Sequence, residues 1–80
     1  MNESELEFDH QEVLRRLGEH IAKLRAARGY SQDRLQLESG LARGTVSKIE
    51  NGLRDPKAST LIKIALTIGV APKKLLEFKL

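Results

Sequence analysis

The chain has 80 residues, no cysteine and a net charge of +3, which suits one small domain and excludes a disulfide-stapled miniprotein or a thiol nucleophile. It contains one Tyr, two Phe and no Trp, so a single-strand binder built on base stacking is disfavoured. No apolar run approaches the roughly 20 residues that a membrane span requires.

The acidic residues are concentrated at the start of the chain. Residues 1–12 contain five acidic side chains and no basic one, whereas residues 13–80 contain all 14 basic side chains and six acidic ones, a net charge of +8. A small domain with that charge attracts polyanions such as nucleic acid, although net charge also serves solubility alone. Residues 1–9 are predicted to form a flexible acidic arm, which is either a solvated tail or a segment that repels DNA or folds over a partner protomer's basic surface. Residues 10–80 form the predicted domain.

Apolar residues recur at helical spacing through the rest of the chain, and strand alternation is absent. The first helix is predicted from near Asp9 to a stop at Gly29, and the second from the N-terminal cap Ser31 to Gly40. Three further helices are predicted at residues 41–51, 60–68 and 72–78. Five helices with short connections predict a compact all-α domain.

The most informative segment is 31–52, in which two short helices share a tight turn at Gly40. A positive φ at such a reversal costs least where there is no Cβ. Leu35 on the first of these helices and Val46 and Ile49 on the second are predicted to form the apolar wedge that fixes their crossing.

With that wedge inward, the outward face of the third helix is polar and partly basic. A step of about 100° per residue places on it Arg43, Gly44, Ser47 and Lys48, with Thr45 at its edge. A helix of this width fits the DNA major groove, where its N-terminal half reaches base edges. The spacing alone is also consistent with a helical hairpin whose outer face is merely solvated.

A set of residues between Leu17 and Phe78 keeps a characteristic and unbroken spacing: Ile21, Arg25, Ser31, Gln32, Leu35, Gly40, Leu41, Thr45, Val46, Ser47, Ile49, Glu50, Asn51, Gly52, Pro56, Leu61, Ala65, Gly69, Val70, Leu75 and Leu76. On these residues the chain resembles the Cro/cI-type (XRE) helix-turn-helix family of bacterial and phage transcription regulators. The resemblance implies a five-helix, lambda-repressor-like domain that binds double-stranded operator DNA, usually as a homodimer on a symmetric site. It also implies a cytoplasmic, nucleoid-associated protein encoded by a bacterium or phage.

Carried onto this sequence, the resemblance implies roles for individual side chains. The predicted base contacts are Arg43, Gly44, Ser47 and Lys48, with Arg43 against guanine. The predicted phosphate contacts are Gln32, Thr45, Asn51, Arg54 and Lys57. Arg25 and Glu50 are predicted to form a structural ion pair that locks the first helix onto the end of the third.

The sequence departs from the family pattern at three positions. Gln36 stands in the second helix where the family usually has Ala, so its amide must find a partner or tilt the wedge. Ala42 and Ala71 stand where the family has a capping side chain, and each loses a helix-capping acceptor worth ~1 kcal/mol.

Several residues remain outside the predicted DNA-binding site. The apolar side chains Ile62, Leu66, Leu76 and Phe78 are predicted to form a dimer interface, with completion of the core as the alternative. His20 is predicted to be a solvated surface residue. No group has metal-ligand spacing and no catalytic motif is present, so no metal, cofactor, small-molecule ligand or enzymatic activity is predicted.

The sequence therefore predicts a sequence-specific transcriptional regulator that acts as a homodimer, and it leaves one alternative of another class. Small stand-alone members of the resembled family include phage repressors and the controller proteins of restriction–modification systems, whose length is similar. The alternative is an antitoxin that binds a toxin protein and uses the same domain to regulate its own gene.

Overall fold

The computed structural model describes residues 9–80, and all regular secondary structure in that range is helical. Four α-helices and one 3₁₀ helix follow in chain order: α1 at His10–Ala27, α2 at Gln32–Ser39, α3 at Thr45–Glu50, α4 at Ala58–Ile68 and the 3₁₀ helix at Pro72–Leu76. The predicted acidic arm lies outside the described residues apart from Asp9. No helix in the described range is both long and apolar enough to cross a membrane. The all-α prediction is confirmed for this range.

The first two helices both begin at a side-chain cap, of which Ser31 was predicted and Asp9 was not. The Glu12 amide donates to the Asp9 carboxylate at 3.2 Å, and the Arg34 amide donates to Ser31 Oγ at 3.0 Å. Each bond satisfies an N–H group that has no partner inside its helix. Gly40 ends α2 in the left-handed conformation, with φ 73°.

The third helix begins at Thr45, later than predicted. Gly44 has φ 83°, a conformation that no α-helix contains, and Ala42 has no side-chain oxygen to cap a helix that started there. The Thr45 amide instead donates to the Ala42 carbonyl at 3.1 Å and closes a turn. Arg43 therefore lies on the connection between α2 and α3 and not on the helix itself.

The predicted fifth α-helix is a 3₁₀ helix that ends at Leu76, before Phe78. Its N-terminal cap, Ala71, makes no side-chain hydrogen bond, and a five-residue segment that starts with proline has few amides for an α-helical ladder. The prediction of five α-helices was wrong in this last element.

All five elements contribute to one core. The most buried side chains of this core are Leu17, Ile21, Leu35, Val46, Ile49, Ile64, Ala65, Ile68 and Leu75. They include the three residues of the predicted wedge, and burial of each large aliphatic side chain contributes about 1.5–3 kcal/mol. The helix-turn-helix segment is thus held rigidly against α1 and α4.

Backbone contact between α1 and the end of α3 depends on Gly18. A Cβ at Gly18 would lie 2.6 Å from the carbonyl oxygen of Glu50 and closer still to that of Ile49. Only a residue without a side chain permits this approach. The sequence pattern did not indicate it, although glycine inside a helix costs about 1 kcal/mol and often has a packing reason.

His20 joins α1 to the C-terminal segment, so its prediction as a solvated residue was wrong. Its Nε2 lies 2.7 Å from the Lys74 carbonyl oxygen, and its ring centroid lies 5.5 Å from that of Phe78. Because a carbonyl only accepts, Nε2 carries a proton. Phe78 is half-buried and packs against the core, as in the core-completion alternative, and its predicted contact in a dimer interface stays a prediction.

Candidate nucleic-acid interface

The helices α2 and α3 are joined by a five-residue linker, residues 40–44. Glycines at both of its ends have positive φ, 73° at Gly40 and 83° at Gly44. A Cβ at either position would meet nothing within 4 Å, so the backbone conformation alone favours glycine there. The linker reverses the chain and leaves Ala42 and Arg43 exposed.

A concavity of about 210 Å³ lies between α2 and the start of α3. It is lined by Gln32, Asp33, Gln36, Arg43, Gly44, Val46 and Ser47. The structure thus brings together three of the four predicted base-contacting residues with Gln32. Lys48 is exposed one turn into α3 and does not line this concavity.

The cations of this surface are available to an anion. Arg43 and Lys48 are exposed and form no ion pair within residues 9–80. Five other cations in the same range are paired with carboxylates: Arg15, Arg16, Arg25, Arg34 and Lys74. Arg43 and Lys48 thus place uncompensated positive charge beside the linker, while other cations that are unpaired in the described range, such as Lys23 and Lys63, lie elsewhere on the surface.

A second concavity, of about 470 Å³, also borders the linker and holds three of the predicted phosphate contacts. It is lined by Leu41, Ala42, Thr45, Arg54, Asp55, Pro56, Lys57 and Thr60. Thr45 is buried, and its Oγ1 accepts a hydrogen bond from Arg54 Nη1 at 3.3 Å. Thr45 therefore orients a guanidinium that remains exposed, while Lys57 is exposed beside the first turn of α4.

The predicted ion pair between Arg25 and Glu50 is present and bidentate. Arg25 donates from Nε to Glu50 Oε2 at 2.6 Å and from Nη2 to Oε1 at 2.9 Å, and its Nη1 donates to the Tyr30 carbonyl at 2.7 Å. The side chains are 15% and 5% exposed. Hydrogen bonding to Glu50 raises the pKa of Arg25 above its ordinary value. The pair fixes the end of α3 relative to α1.

Comparison with known proteins assigns the chain to a family. The helix-turn-helix family profile matches residues 21–75, which include α2, the linker and α3. The chain belongs to the helix-turn-helix family of DNA-binding transcriptional regulators. It is 36% identical over 62 residues to the control protein C.BamHI of Bacillus amyloliquefaciens, covering 76% of each chain.

Two further proteins support this assignment. The HTH-type transcriptional regulator y4dJ of Sinorhizobium fredii is 33% identical over 55 residues, which cover 69% of this chain and 71% of that one. The restriction-modification controller protein C.AhdI from Aeromonas hydrophila superimposes with a TM-score of 0.77 at 33% identity, covering 80% of this chain and 97% of its own.

Gln32 and Asn51 of this helix-turn-helix regulator were predicted to contact phosphates. In the structure the side-chain amide of each already donates a hydrogen bond within the protein. Gln32 Nε2 donates to Glu50 Oε1 at 2.8 Å, which adds α2 to the Arg25–Glu50 pair. Asn51 Nδ2 donates to the Ser47 carbonyl at 2.9 Å, which also accepts a hydrogen bond from the Asn51 backbone amide at 3.0 Å. Their contacts with DNA stay predictions, as do those of Thr45, Arg54 and Lys57.

Proposed function

We propose that the regulator binds double-stranded DNA sequence-specifically, as a homodimer on a symmetric operator, and that it is a controller protein of a restriction–modification system. The observation that carries the DNA-binding site is the exposed, unpaired guanidinium of Arg43 at the edge of the concavity between α2 and α3. The similarity to C.BamHI, a control protein, and to C.AhdI, a restriction-modification controller protein, extends over most of their lengths and supports the controller role.

The proposed division of labour follows from the chemistry of the exposed groups. A guanidinium presents two parallel N–H donors, which match guanine O6 and N7 in the major groove. Ser47 and Lys48 would contact neighbouring bases from α3. Arg54 and Lys57 would contact phosphates and set the position of the domain on the duplex without reading sequence.

This division predicts different effects for two arginine variants. Arg43→Ala should lower affinity for the selected site by about 1–3 kcal/mol and relax the preference at one base pair per half-site. Arg54→Ala should weaken binding to all sequences alike and reduce the slope of log K against log salt by about one. Selection of binding sites from a randomised duplex library, followed by titration at several salt concentrations, measures both effects.

The two variants serve as controls for each other because each removes one exposed guanidinium. Thermal unfolding should be nearly unchanged in both, since neither side chain belongs to the core. Uniform weakening by Arg43→Ala across the library would contradict its role as a base reader. A wild-type protein that bound every duplex equally would overturn the proposed sequence-specific function.

An apolar surface on the C-terminal helices supports the homodimer. The side chains of Ile62, Leu66 and Leu76 are 45%, 69% and 62% exposed. Beside two of them lies a groove of about 190 Å³ between α4 and the 3₁₀ helix, lined by Ala58, Leu61, Ile62, Pro72, Lys73 and Leu76. Contiguous exposed apolar side chains are typical of partner surfaces.

Leu66→Glu should shift the protein from dimer to monomer, because it places a charge in the proposed apolar contact. Sedimentation velocity over a range of concentrations measures the shift. Leu37→Glu is the matched control, since Leu37 on α2 has a similar exposure of 75% and lies on another helix. If Leu66→Glu leaves the dimer intact, the subunits associate through another surface.

A further inference from the structure

Gln36 makes a contact that the family pattern does not explain. Its half-buried side chain on α2 donates from Nε2 to the Leu41 carbonyl at 3.2 Å. The same side chain lines the concavity that contains Arg43. An alanine at this position could not make the bond, so the departure from the family pattern adds an attachment between α2 and the linker.

The linker is held near both of its ends. The Leu41 side chain packs partly against the core, and its amide donates to Ser39 Oγ at 3.4 Å. The Thr45 amide donates to the Ala42 carbonyl at 3.1 Å, and the Lys48 amide donates to the Gly44 carbonyl at 3.0 Å. None of these contacts is made by Arg43 itself. Glycines at both ends of the linker give its backbone more conformational freedom than other residues would. The backbone at Arg43 lies outside the hydrogen-bond ladder of either helix. The direction in which the Arg43 side chain leaves the backbone therefore depends on how the linker is held.

We infer that Gln36 is a positioning residue that sets base specificity by holding the linker that carries Arg43. This inference rests on the proposed function, in which Arg43 contacts a base. A bidentate contact with guanine tolerates little misorientation, and side chains that contact a ligand need support from a second layer of contacts. Gln36 supplies such support through the Leu41 carbonyl, two residues before Arg43.

The test compares base preferences of the wild type and Gln36→Met, which keeps the length of the side chain and removes the donor. Discrimination is the ratio of affinities for the preferred base and the other three at each position of the selected site. Gln36→Met should lower discrimination about fivefold at the base pair that responds to Arg43→Ala, the fold-change that one neutral hydrogen bond supports. The salt dependence of binding should remain that of the wild type, because no phosphate contact is removed.

Three further variants sharpen the comparison. Gln36→Lys restores a donor and should recover most of the discrimination, because a ratio of affinities cancels the added uniform attraction to phosphate. Leu37→Met changes the adjacent, exposed residue of α2 and should have no effect. The double variant of Gln36→Met and Arg43→Ala should discriminate no less than Arg43→Ala alone, since Gln36 acts through Arg43.

A measurement without DNA tests the linker directly. Backbone ¹⁵N relaxation of the free protein should show larger amplitudes of motion for residues 41–44 in Gln36→Met than in the wild type. Equal linker dynamics together with unchanged discrimination would overturn the inference and leave the proposed function intact. Loss of discrimination at a different base pair would also overturn it, because Gln36 would then contact a base itself. A wild type without any base preference would overturn both.

Discussion

Replacing Glu50 with alanine is expected to destabilise the domain by about 3–5 kcal/mol, a large part of the stability of a domain of this size. The Glu50 carboxylate accepts two hydrogen bonds from Arg25 and one from Gln32. Its removal leaves the guanidinium of Arg25, only 15% exposed, without its counter-ion. Urea unfolding followed by circular dichroism measures the change.

An exposed ion pair in the same protein provides the matched control. The nitrogen–oxygen distance between Arg34 and Glu38 is 2.6 Å, the same as between Arg25 and Glu50, but its side chains are 52% and 46% exposed. Glu38→Ala should therefore cost less than about 1 kcal/mol. The paired replacement Arg25→Met with Glu50→Leu should recover much of the loss, because no unpaired charge then remains. If Glu50→Ala and Glu38→Ala lower the free energy of unfolding equally, burial does not determine how much an ion pair contributes to stability in this protein.

Gly18→Ala is expected to destabilise the domain by about 3 kcal/mol, the upper end of the usual cost of overpacking. The added methyl group would meet the carbonyl oxygens of Ile49 and Glu50, and backbone atoms at a helix end cannot move aside as a flexible side chain can. The separation of α1 from α3 that relieves this clash also stretches the Arg25–Glu50 pair.

The sign of the stability change in Gly18→Ala distinguishes a crowded site from an open one. Within a helix, alanine is normally favoured over glycine by about 1 kcal/mol, so an open site would become more stable on substitution. Lys23→Ala and Lys23→Gly, at an exposed position of α1, measure that preference on the same helix. Stabilisation of the domain by Gly18→Ala in urea unfolding would contradict the close approach of α1 and α3.

The features that the sequence predicted well depend on neighbouring residues. The spacing of apolar side chains predicted α1, α2 and α4 and the wedge of Leu35, Val46 and Ile49, because a helix repeats its faces over three to four residues. The start of α1 near Asp9, the cap Ser31 and the turn at Gly40 were predicted for the same reason. The spacing of matched residues also predicted the helix-turn-helix family.

The features that the sequence missed depend on contacts between distant residues. Nothing near Gly18 indicates that the end of α3 lies against it, and nothing near His20 indicates the Lys74 carbonyl. The late start of α3 depended on whether Gly44 would adopt a positive φ, which glycine permits but does not require. The hydrogen bond from Gln36 to the Leu41 carbonyl depends on the backbone conformation of the linker, which the sequence did not predict.

The amino-acid sequence by itself determined α1, α2 and α4, the order of the helices and the chemical character of the surface beside the linker. Only the tertiary structure decided where Arg43 lies, which amides already have partners, and how closely α1 approaches α3. The physical reason is that helix formation and capping are governed by interactions within about four residues. The packing of helices and the pairing of buried polar groups depend on residues brought together by the whole fold.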